Sequence, residues 1–197
     1  PEARDYVPVG CLETMPRNTW GRANGGYFSL VKVLELALSN GVCRITGKQV
    51  GVEMGVYPGD VLDFNEVMHR FKIQMQWLAE LYVHTMNTIH YMHDRYAYER
   101  VQMALHDSRV HYFMSFGIAG LSVVADSLSA IRYARVKPVR NAQGLIEDFI
   151  VEGNYPKFGN DDDRVDSIAV ELVKEFARYL KQYRAYRQAE HTLSILT

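Results

Sequence analysis

The chain has 197 residues, 48% of them apolar and 23% charged, with a formal net charge of −1. That length suits one ordinary domain with a sizeable core, and that composition is usual for a globular protein. A near-neutral balance gives no electrostatic pull toward nucleic acid or an acidic membrane, and no apolar run reaches the ~20 residues that span a bilayer.

Two cysteines, Cys11 and Cys43, lie far apart with no CxxC spacing. A disulfide framework is therefore not expected, and a reducing cytoplasm is the default compartment. The opening "PEARDYVPVG" does not read as a signal peptide. Without an initiator Met, and closing on the strand-like "HTLSILT", the sequence reads as a piece of a longer chain. Its thirteen tyrosines and eight methionines suggest broad packing surfaces.

Residues 1–26 read as irregular, broken by prolines and by Gly21, Gly25 and Gly26. From Phe28 to Ser39 apolar residues recur at helical spacing, and Asn40-Gly41 supplies the stop. Residues 41–62 read as a long loop with room for short strands. The stretch from Asp63 to Tyr96 gives the longest helical pattern, with Asp63 as N-cap and Glu66 three residues on. Val67, Phe71, Leu78, Leu81, Met86 and Ile89 are expected on its buried side.

A shorter helix is expected from Tyr98 to His106. After it, "MSFGIAGLSVVADSLSAIRYARV" reads as a turn or strand and then a helix capped by Asp126. "VKPVRNAQGLIEDFIVEG" reads as a hairpin around residues 141–144. The final helical pattern runs from the aspartates of "NDDDRVD" into "ARYLKQYRAYR", with acids at its positive end and bases toward its negative end. Long helices mixed with a few strands give an α/β class.

Several motifs have a plain structural reading beside the chemical one. His90 and His93 sit at i, i+3 beside Asp94, with His84 further back, but no third and fourth metal ligand is evident, so packing and hydrogen bonding are favoured. "NDDDRVD" lacks the glycine and distal glutamate of a calcium loop, and helix capping by Asp162 or Asp163 explains it. "GIAGL" is too short for a phosphate loop. The Tyr/Arg run "ARYLKQYRAYR" is expected to be a helix face resting on structure outside this chain.

Cys11, in "VPVGCLETM", differs in its surroundings: Gly10 precedes it, Pro8 and Pro16 bracket it, and Glu13 follows two residues on. A carboxylate beside a thiol favours the neutral S–H, which does not suit a thiolate nucleophile. A buried structural cysteine and a reactive one both stay open on these residues alone.

"IHYMHDRYAYERVQMALHDS", "GIAGLSVVADSLSAIRYARVKPVRN", "GNYPKFGNDDDRVDSIAVELV" and "SILT" closely resemble the pyruvate formate-lyase family of glycyl radical enzymes. The likeness is dense from Asn87 to Thr197 and thinner from Val7 to Asp60. It implies an α/β fold that is part of a ten-stranded barrel surrounded by helices, with residues 1–197 as a segment of one catalytic domain. In that family a loop bearing the reactive cysteine enters the barrel and meets a loop bearing a radical glycine.

By resemblance Cys11 is the radical-relay cysteine, and its neutral S–H is then the required form. Two features depart from the formate-lyases: Gly10 stands where they have a second cysteine, and Tyr27 stands where an ungapped match expects the carboxylate-binding arginine. Arg22, five residues earlier, is the candidate substitute, since its fork suits a carboxylate. The Cys11-Leu12-Glu13 pattern looks instead like the radical dehydratases, C–N lyases and decarboxylases of the family. In the dehydratases and C–N lyases the glutamate serves as general base; its ordinary alternative here is a loop salt bridge, with Arg17 as a partner.

The resemblance further implies a glycyl radical supplied by a region outside this chain, coenzyme A as co-substrate for a formate-lyase, and no bound metal. A radical-SAM activating enzyme, a small-molecule substrate and a homodimer are the implied partners, with no nucleic acid and no membrane. The chain by itself is expected to be inactive, or to belong to an inactive scaffold, because it contains no RVxGY-like stretch.

Overall fold

A computed structural model describes residues 6–9, 13–16, 20–96, 101, 104, 110–142 and 144–196, of which residues 6–9, 13–16 and 20–25 are described by backbone alone. The framework is a three-stranded parallel sheet of β3 (Trp20–Ser29), β4 (His111–Ala119) and β7 (Glu190–Leu196), in that order, with β4 central. Parallel neighbours need long crossovers, and helices fill both. Between β3 and β4 run α1 (Leu30–Leu38) and α2 (Phe64–Arg95). Between β4 and β7 run α3 (Leu121–Tyr133), the hairpin β5 (Arg135–Arg140) and β6 (Ile146–Glu152), and α4 (Asp163–Leu180).

The α/β expectation holds. Of the expected barrel, the described residues form this three-stranded sheet and two antiparallel pairs, not a closed barrel.

Residues 1–26 are not wholly irregular. β1 (Tyr6–Val9) pairs antiparallel with β2 (Glu13–Pro16), and β3 starts at Trp20. Glycines hide β3 from a periodicity reading because they erase the alternation that marks a strand.

Ser29 caps α1 by accepting the Lys32 N–H at 3.3 Å, and Leu30, Val33, Leu34, Ala37 and Leu38 supply its buried stripe. Asn40 and Gly41 end it, both with positive φ. A Cβ on Gly41 would sit 2.6 Å from the Val52 carbonyl oxygen, so only glycine fits this stop. The loop that follows carries one bridge, Val42 to Gln49.

Asp63 caps α2 as the sequence suggests, accepting the Glu66 N–H at 2.9 Å. The reciprocal half of a capping box is replaced: the Asp63 N–H donates to the Tyr57 hydroxyl at 2.7 Å, and Glu66 binds Arg70 at 2.6 Å. The 32-residue helix buries Val67, Phe71, Met75, Leu78, Tyr82 and Met86. Leu81 and Ile89 are 44% and 40% exposed, so both fall off the expected stripe. The 3.6-residue period carries the buried line through Tyr82 instead.

Gly120, with φ +80°, occupies the N-cap of α3, and Asp126 lies inside that helix. Its carboxylate accepts the Phe158 N–H at 2.7 Å, so it ties down a loop rather than capping the helix. The expected hairpin is present, with Gly144 at φ +79°. Asp162 caps α4, accepting the Arg164 N–H at 3.0 Å. This helix stops at Leu180, well short of the expected end. The helix expected at Tyr98–His106 falls almost wholly outside the described residues.

Core side chains from the four described helices join one cluster with Met114, Phe116 and Ile118 of β4, which are at most 1% exposed. Alternation turns Phe113, Ser115 and Gly117 toward the opposite face of the sheet.

Candidate functional site

Of the expected site residues, Cys11 lies outside the described residues. The β1–β2 ladder closes with Val9 opposite Glu13, so backbone pairing flanks the cysteine on both sides. Glu13 and Arg22 are placed by backbone alone, Glu13 as the first residue of β2 and Arg22 within β3 opposite Phe113. Arg17 also lies outside the described residues.

The register of β3 bears directly on Arg22. It pairs Arg22 with Phe113, Asn24 with Ser115 and Tyr27 with Gly117, shifting by one residue between Asn24 and Tyr27. Positions five apart in a regular strand fall on opposite faces. The extra residue, a β-bulge, brings Arg22 and Tyr27 into register with the same row of β4. That row continues into β7, where Gly117 pairs with Ser194 and Ser115 with Thr192.

Tyr82 holds the bulge from the helix side. Its hydroxyl accepts the Gly117 N–H at 2.9 Å and donates to the Gly26 carbonyl. Burial pushes this phenol above its ordinary value, so it keeps the proton that it donates. The Tyr82 ring packs edge-on against Phe28 at 4.4 Å and Phe116 at 4.9 Å.

On the other face the Tyr27 ring lies across Gly117, where a Cβ would approach Cδ1 to 2.5 Å. Its hydroxyl reaches the Ser194 Oγ at 3.1 Å. Sequence reasoning noted Tyr27 only as the residue standing where the carboxylate-binding arginine is expected, and did not find Tyr82 or Ser194. The available signal was Gly117 inside an apolar strand, which marks a close approach.

Further along α2, Asp94 is committed to structure. Arg187 binds both its carboxylate oxygens, with Nε to Oδ2 at 2.9 Å, and the Tyr186 hydroxyl donates to Oδ2 at 2.7 Å. The Tyr/Arg run therefore packs within this chain. Its last part leaves the helix to dock on α2, where Asn87 bonds Arg184 and Tyr186. His90 and His93 meet edge-to-face at 5.7 Å. Among the described residues no three of His, Cys, Asp and Glu gather in a metal-binding group. No helix among them is long and apolar enough to cross a membrane.

Cys43 is a free, buried thiol at the turn after α1. The Thr46 hydroxyl, with help from backbone N–H groups and Lys32, lowers it to about 7. Its partners are Lys32 of α1 and residues 45–46 of the turn that follows.

Comparison with known proteins accords with this architecture. The chain is 47% identical over 193 residues to formate acetyltransferase 1 of Escherichia coli (strain K12), covering 98% of this chain and 25% of that protein. It thus spans about a quarter of the curated relative's length. The glycerol-bound form of the B12-independent glycerol dehydratase from Clostridium butyricum superposes with a TM-score of 0.72 at 22% identity, over 98% of this chain and 27% of that one. A glycyl radical enzyme from Archaeoglobus fulgidus superposes with a TM-score of 0.71 at 17% identity, with the same coverage. At those identities the two structures speak for the fold alone. The family model described as pyruvate formate lyase-like matches residues 1–197, and the chain belongs to that family.

Proposed function

We propose that this chain contributes the cysteine loop and part of the barrel wall of a glycyl radical enzyme that cleaves a 2-oxo acid, converting pyruvate and coenzyme A to acetyl-CoA and formate. The observation that carries this reading is the 47% identity to a formate acetyltransferase across nearly the whole chain. In the first step a hydrogen atom leaves the Cys11 thiol for the glycine radical of a region outside this chain. The S–H bond breaks homolytically, a glycine C–H bond forms, and the resulting thiyl attacks the substrate. Arg22 is the residue proposed to pair with the substrate carboxylate.

Cys11-Leu12-Glu13 favours a second reading, a radical dehydratase, C–N lyase or decarboxylase. In its dehydratase and C–N lyase forms the thiyl takes hydrogen from carbon and Glu13, as general base, takes a hydroxyl proton. Sites decide reactions more than scaffolds do, which keeps this reading beside the first.

On either reading a radical-SAM activating enzyme would install the radical, the enzyme would work as a cytoplasmic homodimer, and the isolated chain would be inactive.

The test uses activated full-length enzyme with pyruvate plus coenzyme A, and separately with glycerol, propanediol and choline. Formate release that survives Glu13→Gln supports the lyase. Aldehyde release abolished by Glu13→Gln supports the eliminase. Activity retained by Cys11→Ala overturns both.

A further inference from the structure

We propose that Tyr27 and Ser194 form a substrate-contacting, specificity-determining pair that offers neutral hydroxyls to a ketone or alcohol oxygen of the substrate. The inference rests on the reading of this chain as the wall of a radical-enzyme active site.

Its observations are independent of Cys11. Tyr27, Gly117 and Ser194 stand on three adjacent parallel strands in one register row, two residues before the described ends of β3, β4 and β7. Ligands of parallel sheets gather at the carboxyl ends of strands. Tyr27 does not enter the core that its neighbour Phe28 joins; it lies on the opposite face and is 39% exposed.

Gly117 explains the posture. With no Cβ beneath it, the ring can lie flat against the strand, and the phenol then reaches across β4 to Ser194 at 3.1 Å. A ring lying flat keeps its outer face exposed, whereas a raised ring would project above the sheet.

The chemistry follows from two hydroxyls sharing one hydrogen bond. Whichever is the donor within the pair, the other retains its proton and can donate it outward. Each oxygen also keeps lone-pair capacity. Such a pair can donate to a ketone oxygen, and can both donate to and accept from an alcohol. It adds no charge, so a carboxylate would be left to Arg22, four β4 positions away in the same row.

Tyr27→Phe and Ser194→Ala in the full-length enzyme provide the test, with Gly117→Ala as a steric probe. Binding of pyruvate and of glycerol to unactivated enzyme is measured by calorimetry, which requires no turnover. The expected result is a roughly three- to tenfold weaker Kd for whichever ligand the wild type binds, in both hydroxyl deletions, at unchanged melting temperature. After activation, KM should rise by the same factor with kcat and radical content by electron paramagnetic resonance preserved.

Gly117→Ala should lift the ring and weaken the same ligand. An unchanged Kd in Tyr27→Phe, in a protein that binds either ligand, overturns the proposal and leaves the radical-enzyme reading standing. Wild type that binds neither ligand overturns the proposal in this form. Cys11→Ala that retains turnover overturns the radical reading while the binding data still decide the role of Tyr27.

Discussion

The Tyr82 hydroxyl accepts the Gly117 N–H at 2.9 Å, across 35 residues of sequence. With its bond to the Gly26 carbonyl, one hydroxyl ties a backbone group of β4 to one in the bulged stretch of β3. An unpaired backbone group away from water is costly, so this side chain supports the bulge.

Tyr82→Phe keeps the ring packing and deletes only that oxygen. A loss of about 1–3 kcal/mol is expected in denaturant unfolding, with faster hydrogen exchange at the Gly117 amide. Wild-type exchange at Gly117 would count against Tyr82 as the pin of the bulge.

Arg187 and Asp94 join the segment before β7 to α2, and Arg187 and Gln188 hold φ near +55°, uncommon for residues with a side chain. Asp94→Asn should destabilise by about 1–3 kcal/mol, because Arg187 is left partly buried without its counter-charge. Pairing it with Arg187→Met should recover part of the loss. A double variant as unstable as the sum of both singles would show that the two residues act independently.

The Cys43 thiol should react with iodoacetamide along a pH profile centred near 7. Thr46→Val removes the largest cause of that lowering and should move the midpoint upward, toward the ordinary 9.0. An unmoved midpoint would assign the lowering to other groups. Lys32→Met should shift it less, since its hydrogen bond is a smaller contribution.

Asp162 is held at about 2 by the Arg164 guanidinium and then by the Arg164 N–H. Its native value lies below the ordinary 3.8, so its contribution is fully present above about pH 4 and is lost as pH falls through about 2. Amide exchange in the first turn of α4, corrected for intrinsic rates, should quicken across that window in wild type. In Asp162→Ala it should already be fast above it. The same pH response in both proteins would mean that the cap does not titrate there.

Features governed by neighbours in sequence were legible without coordinates. Asp63 and Asp162 cap their helices, Asn40-Gly41 ends α1, and Asn141–Gly144 turns the hairpin, because each uses backbone groups within a few residues. The long strings shared with the pyruvate formate-lyase family were equally legible, since they need no geometry.

Tertiary structure decided what depends on a distant partner. Asp126 looked like a cap until Phe158, 32 residues on, took its oxygen. The Tyr/Arg run looked like a helix until Asp94 and Asn87 drew it onto α2. Local chemistry in the glycine-rich stretch of β3 gives no reason for one extra residue after Asn24. The Tyr82 hydroxyl, delivered from α2, bonds backbone on both strands at that bulge, and the bulge sets Arg22 and Tyr27 in one row. Capping and periodicity act over one helical turn, whereas a hydrogen bond between a helix and a strand exists only once the sheet and its helical layer have packed.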